Sequence, residues 1–212
     1  MTSGAAQALR DLALCLMPPG HGCAVLPLTQ DPPPLLPAEQ AAMARAVPKR
    51  RREFALGRAA LRAAIREAGH DLPDTRPIPA RPDRRPELPP GIHASLSHSG
   101  EYCIAVASPP GGASIGIDLE PMTSAPPEGL AQTVMPCRRR GAAAQLDPLL
   151  AFCVKEALFK AQYPLTDTML DFSAVPVVIG AARFRGCLGH SLIGGRWGQA
   201  VGYYLAISRW RG

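Results

Sequence analysis

Lysine is scarce in this chain. Of 23 basic residues only three are Lys (Lys49, Lys155 and Lys160), and two of those stand in one short stretch. Aromatic residues make up 5% of the sequence, which leaves little for stacking on single-stranded nucleic acid. The six cysteines (Cys15, Cys23, Cys103, Cys137, Cys153 and Cys187) form no CxxC pair and no ligand-like spacing. Free, mostly buried thiols in a reducing compartment are therefore expected. No apolar run is long enough to span a membrane, and Arg10 and Asp11 interrupt the early one, so no signal peptide is read. A cytoplasmic protein without a membrane span is expected. No internal sequence repeat is evident.

What is present is an ordinary globular composition, 47% apolar and 19% charged over 212 residues, long enough for one large domain or two small halves. Proline is abundant at 24 residues, which predicts stiff connections and short helices. A net charge of +6 points to an anionic partner. Pro109-Pro110-Gly111-Gly112 is the strongest break and falls near the midpoint, so residues 1–110 and 111–212 are expected to form two halves.

The pattern predicts a short helix over residues 4–17, or a helix leading into a strand there, then a strand over 24–28, a rigid connector over 31–37 and a helix near 38–47. A strong helix follows over 49–68, with Phe54, Leu61, Ile65 and Ala68 on its apolar face and Arg51, Arg58 and Arg62 as a basic stripe. Residues 71–92 are an arginine-rich loop broken by prolines. Ser95 to Gly100 places small hydroxyls around a His ahead of a strand at 104–107, with a turn of small polar residues as an equally good reading. Ser114 to Glu120 alternates as a strand, and 121–145 reads as loop. Asp147 as N-cap and Pro148 as first helical residue predict a helix ending near Tyr163, because Pro164 bars its continuation. Strands are expected at 174–179, 181–187 and 201–208. His21, His70, His93 and His190 show no partners and are taken as surface or core residues.

Three groups carry possible chemistry. On the helix after Pro148, Glu156 and Lys160 share a face four residues apart, with Lys155 roughly 100° round. An exposed ion pair is the commoner meaning of that spacing. Asp118 and Glu120 project from one strand face, and paired carboxylates suit a hard divalent cation with phosphate and water oxygens; solvent-facing side chains are the plainer alternative. Ser97-His98-Ser99 offers hydroxyls and an imidazole for phosphate oxygens, or a simple polar turn.

Taken in order, Ser97-His98-Ser99, Ile115-Gly116-Ile117-Asp118-Leu119-Glu120 and Phe152 to Lys160 (F-x-x-K-E-A-x-x-K) resemble the motifs of the 4′-phosphopantetheinyl transferases of the long, two-half type. Arg51 to Arg58 (R-x-E-F-x-x-G-R) is similar to the helix upstream of them in that family, and Phe152 in place of Trp leans toward the branch serving siderophore synthetases. The resemblance runs from about residue 50 to 172. It implies an α+β fold of two similar halves related by a pseudo-two-fold, each a small antiparallel sheet with a packed helix, and an active site in the cleft between them. It also implies transfer of the 4′-phosphopantetheine arm of coenzyme A to a serine of an apo acyl or peptidyl carrier protein. In that reading Asp118, Glu120 and Glu156 hold Mg²⁺, or Mn²⁺ in its place, and Glu156 is the base. Lys160 neutralises phosphoryl charge; Ser97, His98, Lys155 and Arg85 serve the phosphates, and Arg51, Arg58 and Arg62 the 3′-phosphate end. A monomer suffices, with siderophore or secondary-metabolite synthesis as the setting. One departure stands out: Met135 to Arg140 is basic where that family carries an acidic residue, which suits an acidic carrier. Two other readings stand beside this one, a metal-dependent phosphohydrolase using the same carboxylates and a basic nucleic-acid-binding module.

Overall fold

The computed structural model describes residues 2–123, 125–140, 146–189 and 191–212. In chain order they form α1 (Thr2–Leu16), β1 (Gly22–Pro27), α2 (Pro37–Ala42), α3 (Pro48–Glu67), β2 (Ala94–Ser99), β3 (Tyr102–Ala107) and β4 (Ser114–Pro121). Then come α4 (Leu130–Thr133), β5 (Cys137–Arg139), α5 (Pro148–Thr166), β6 (Val177–Ile179), β7 (Arg183–Leu188), β8 (Ser191–Ala200) and β9 (Tyr203–Trp210). The fold is α+β. One sheet has the order β1-β3-β2 and the other β4-β9-β8-β7-β6-β5, antiparallel throughout except for the β5–β6 pair.

One topology occurs twice. β1, α3 and the β2–β3 hairpin are arranged as β4, α5 and the β8–β9 hairpin are: the second hairpin strand lies against the lone first strand, and the helix packs on that strand. A glycine makes each helix contact possible. A Cβ on Gly22 of β1 would lie 1.9 Å from Ala64 O and 2.7 Å from Ala68 N of α3. A Cβ on Gly116 of β4 would lie 2.2 Å from Ala157 O and 2.4 Å from Ala161 N of α5. The halves differ in size, however, because β5, β6 and β7 widen the second sheet to six strands.

α1 belongs to neither repeat. Its Leu9, Ala13 and Leu16 pack on Tyr102, Ile104 and Val106 of β3 and on Ile115, Ile117, Leu119, Leu205 and Ile207 of β4 and β9. It braces the two sheets from behind, each fully buried Leu or Ile contributing about 1.5–3 kcal/mol.

Several elements depart from the sequence expectations. Ser95 to Ser99 is a strand rather than a turn, since its serines face another strand and not solvent. The 121–145 region holds a short helix, α4, and an edge strand, β5. The helix expected over 38–47 stops at Ala42. α5 runs through Pro164 to Thr166: the proline's fixed φ is helical, and one missing N–H is tolerated in a last turn. β8 escaped the sequence reading because Gly194, Gly195 and Gly198 interrupt its pattern. They are there for close approach: a Cβ on Gly195 would lie 2.2 Å from Ile207 O, and one on Gly198 2.7 Å from Leu12. His21 and His70 do have partners, the carbonyls of Pro18 and Ser108 at 3.0 and 2.8 Å; His190 lies outside the described residues. All six cysteines are free.

α2 is short but anchored by Glu39, which is 1% exposed. Its carboxylate accepts from Arg62 at 2.5 Å, from the Ile78 N–H at 2.8 Å and from the Leu36 N–H at 3.0 Å. Burial alone would raise this carboxyl; the Ile78 N–H, Arg62 and the Leu36 N–H outweigh it and hold it below the ordinary glutamate range. Its stability contribution is thus complete above that ordinary range and lost as pH falls through the lowered folded-state value. Glu39→Ala leaves Arg62 and the Ile78 N–H without their acceptor, an expected loss of about 3 kcal/mol. Urea denaturation of both proteins across acidic pH checks this: the difference should shrink as pH drops, and a constant difference would refute the assignment.

Candidate active site

β2 and β4 are edge strands of different sheets, and they meet without a backbone ladder. Serine hydroxyls bridge them instead: Ser95 Oγ accepts the Ile117 N–H at 3.1 Å and Ser97 Oγ the Leu119 N–H at 3.3 Å. The period of two along β2 puts Ser95, Ser97 and Ser99 on one side, where they satisfy an otherwise open strand edge. Ser97 Oγ also donates to Asp118 Oδ1 at 2.9 Å, and Ser99 Oγ to Glu120 Oε2 at 3.4 Å. The seam between the halves therefore runs beneath the two carboxylates of β4.

α5 brings the other charges to this seam. Lys160 Nζ lies 2.6 Å from Asp118 Oδ1, 3.5 Å from Ser97 Oγ and 3.9 Å from Glu156 Oε2. Burial alone would lower the Lys160 ammonium, but Asp118 and Glu156 outweigh it and hold it above its ordinary value. Burial, helped by the neighbouring Asp118 charge, pushes the Glu120 carboxyl up to about 7. Glu156 is raised as well, by burial first and then by Asp118, against the pull of Lys160. Asp118 Oδ2 is buried and has no hydrogen-bond partner. One lysine thus faces both Asp118 and Glu156, and Asp118 Oδ2 is left without a partner.

His98 stands at the rim. Arg50 Nη1 lies 3.1 Å from His98 Nε2 and 3.6 Å from Glu53. A guanidinium only donates, so His98 Nε2 accepts, and its proton sits on Nδ1. Burial keeps the imidazole below its ordinary value, in agreement with a neutral ring. Arg50 lies outside the basic stripe legible in the sequence. The available signal was Gly57, two helical turns on, whose face packs on Leu96 of β2 and so points Arg50 at the end of that strand.

The other residues singled out in the sequence are bonded elsewhere. Arg51 donates to Ala46 O and Ala44 O at 2.9 and 2.6 Å. Arg58, 4% exposed, donates to Ile78 O at 2.5 Å and lies over the Phe54 ring at 4.0 Å. Arg62 holds Glu39. The basic stripe is thus largely engaged within the first half. Beside it, a groove of about 460 Å³ is lined by Pro32, Pro33, Leu35, Lys49, Arg51 and Arg52, among others. Lys155 is 1% exposed and donates to Phe172 O at 2.5 Å, turned away from the carboxylates. Arg85 crosses from the proline-rich loop to the end of α5, where it pairs with Asp167 and lies 4.8 Å over the Tyr163 ring.

Two family models match in tandem: the 4′-phosphopantetheinyl transferase N-terminal domain over residues 38–108 and the 4′-phosphopantetheinyl transferase superfamily over 114–187. The chain belongs to the 4′-phosphopantetheinyl transferase superfamily. Among curated relatives it is 41% identical to 4′-phosphopantetheinyl transferase Svp of Streptomyces mobaraensis, over 68% of this chain and 61% of that protein. It is 38% identical to the transferase PptT of Mycobacterium tuberculosis, over 68% of this chain and 66% of that one. Enterobactin synthase component D of Escherichia coli O157:H7 is 33% identical over 60% of this chain and 62% of its own length. The chain thus spans a little under two thirds of the length of the relatives it matches.

The donor set here fits a divalent cation in chemistry: hard oxygens, an unpartnered buried carboxylate oxygen and two carboxyls raised by burial and then by the Asp118 charge. Among the described residues, no three such side chains converge tightly enough to enclose an ion by themselves. No helix among the described residues is long and apolar enough to cross a membrane.

Proposed function

We propose that this chain transfers the 4′-phosphopantetheine arm of coenzyme A to a serine hydroxyl of an apo acyl or peptidyl carrier protein, releasing 3′,5′-ADP. The observation that carries this reading is the unpartnered Asp118 Oδ2, set beside Lys160 and two raised carboxyls at the seam between two halves. The halves are residues 1–110 and 111–212, the first binding the nucleotide and the second holding the reacting groups. Likeness to enterobactin synthase component D supports a carrier of siderophore or secondary-metabolite assembly, and the basic stretch Met135 to Arg140 suits an acidic one. One chain carries every motif, so a monomer suffices, and we read the enzyme as cytoplasmic.

Asp118, Glu120 and Glu156 would hold Mg²⁺, which when bound offsets pyrophosphate charge and polarises the phosphoryl group. Glu156, its carboxyl raised toward the working range of a base, takes the carrier serine's proton as the new O–P bond forms. Lys160 stays cationic through this and follows the charge that builds on the phosphoryl oxygens as the bond to 3′,5′-ADP breaks. Ser97 holds Asp118 in place from below. His98 Nδ1–H donates to a phosphate oxygen, with Arg50 fixing the tautomer. Arg85 meets the pyrophosphate from the loop side, and the groove at Lys49, Arg51 and Arg52 takes the 3′-phosphate end. Arg58 and Arg62 act through the 76–79 segment they hold, and Lys155 props the far side of α5.

The test is the intact mass of an apo carrier after incubation with the protein, coenzyme A and Mg²⁺. A gain of one phosphopantetheine, absent with EDTA and with Glu156→Gln, is the expected result. Release of phosphopantetheine to water without carrier gain would make the protein a phosphohydrolase instead. Arg50→Ala is expected to weaken coenzyme A binding about tenfold, with a smaller effect on the rate at saturation. Calorimetric titration separates the two; unchanged binding would remove Arg50 from the phosphate site.

A further inference from the structure

Carboxylates end at Asp171. Residues 172–212 contain five arginines (Arg183, Arg185, Arg196, Arg209 and Arg211) and no Asp or Glu, and residues 129–146 contain Arg138, Arg139 and Arg140 and again no acid. Strand register gathers most of them on one surface. Arg138 of β5 pairs with Val178 of β6, Val178 with Arg185 of β7, Arg185 with Gly194 of β8, and Gly194 with Arg209 of β9. One step along, Arg183 stands opposite Arg196. Residues opposite across strands share a face, so Arg138, Arg183, Arg185, Arg196 and Arg209 project together. The alternate residues Val177, Ile179, Phe184, Ile193 and Trp197 lie on the other face, in the cluster under α5.

This basic face is turned away from α5 and hence from Glu156 and Lys160. α1 covers its β4–β9 end, while the β5–β8 end is open: all five arginines are exposed, with Val178 and Leu192 between them at 44% and 69% exposure. Among the described residues none of the five makes an ion pair, and Arg196 alone has a bond, to Cys15 O at 3.0 Å. Arg183 directly opposite Arg196 is a like-charge pair, unfavourable for the sheet itself. The nearby His21 is held below its ordinary value by burial and then by Arg209.

We infer that the open face of β5–β8 docks an acidic amphipathic protein segment, whose carboxylates pair with the arginines and whose aliphatic side chains cover Val178 and Leu192. Guanidinium forks match carboxylates in a bidentate manner. The apolar pair distinguishes this occupant from a phosphodiester chain, which would bring nothing to cover Leu192, and no aromatic residue on the face offers a base to stack on. Because the face points away from the seam, its occupant is a segment other than the one that presents a serine to Glu156. The inference stands whether or not the transferase reading does.

Fluorescence anisotropy with a labelled helical peptide of Glu and Leu at amphipathic spacing tests it, with the Glu→Gln version, oligo-dT and vesicles of phosphatidylcholine and phosphatidylglycerol as comparisons. The full chain is expected to bind the Glu/Leu peptide and not the Gln version. The double variant R183E/R185E should raise Kd at least about tenfold, and V178S/L192S about threefold with the salt dependence kept. Carrier modification, measured separately on an isolated carrier, should be unchanged in both variants. Peptide binding unaffected by R183E/R185E, or tighter binding of oligo-dT or vesicles than of the peptide, overturns the inference. Loss of carrier modification in the parent protein would count against the transferase reading alone.

Discussion

Asp118→Asn is expected to reduce carrier modification by about two to three orders of magnitude without unfolding the protein. The substitution keeps the size of the side chain and one oxygen for Ser97 and Lys160. It removes the charge that holds Lys160 cationic and helps raise Glu120 and Glu156. Glu156 then titrates nearer to an ordinary glutamate and becomes a weaker base, and the unpartnered oxygen no longer offers an anionic ligand. The thermal midpoint should fall modestly without a collapse, because the Asp118–Lys160 ion pair is lost while Glu156 still faces the ammonium. Intact-mass time courses and thermal melts on the same preparations decide it. Near-parental activity would take Asp118 out of the reaction, and a collapse of the melt would make it a structural residue.

The second large effect is on folding. Gly116→Ala is expected to cost 3 kcal/mol or more (about the upper end for overpacking), because its Cβ meets Ala157 O at 2.2 Å and Ala161 N at 2.4 Å, both backbone atoms of α5. Neither can rotate away, so the whole helix must shift, and with it Glu156 and Lys160. Gly22→Ala is the twin experiment in the first half, with Ala64 O at 1.9 Å. Gly57→Ala is the control. Its Cβ would meet side-chain atoms alone, Leu96 at 3.6 Å and Cys103 Sγ at 3.9 Å, and alanine in the middle of α3 should add about 0.5–1 kcal/mol. Urea midpoints should therefore fall for the first two and rise for the third. Equal effects at Gly57 and Gly116 would refute the close-approach account.

Which features could be read from the sequence depended on whether their cause was local. Asp147 and Pro148 start α5 by chemistry confined to one turn, and Asp147 does accept the Leu149 N–H at 2.9 Å. Asp118 and Glu120 share a face by strand period alone, and Glu156 and Lys160 by helix period. The features that escaped are set by distant partners. Ser95, Ser97 and Ser99 looked like a polar turn because the strand edge that they satisfy lies on another sheet. β8 looked broken because its glycines answer to Leu12, Phe184 and Ile207. The repeated strand–helix–hairpin topology left no repeat in the residues beyond one glycine in each first strand. Arg58 and Arg62 read as a basic stripe for an anion because their acceptors, Ile78 O and Glu39, come from segments with no helical or strand period.

The seam of hydroxyls also has a kinetic meaning. The Ile117 and Leu119 amides are secured by serine side chains across the boundary, whereas the rest of the β4 pairing is with β9 in the same sheet. Their protons are therefore released to solvent when the two halves part slightly, an event far less costly than unfolding β4. In a hydrogen-exchange experiment these two amides become a built-in gauge of cleft opening, read apart from the stability of either half.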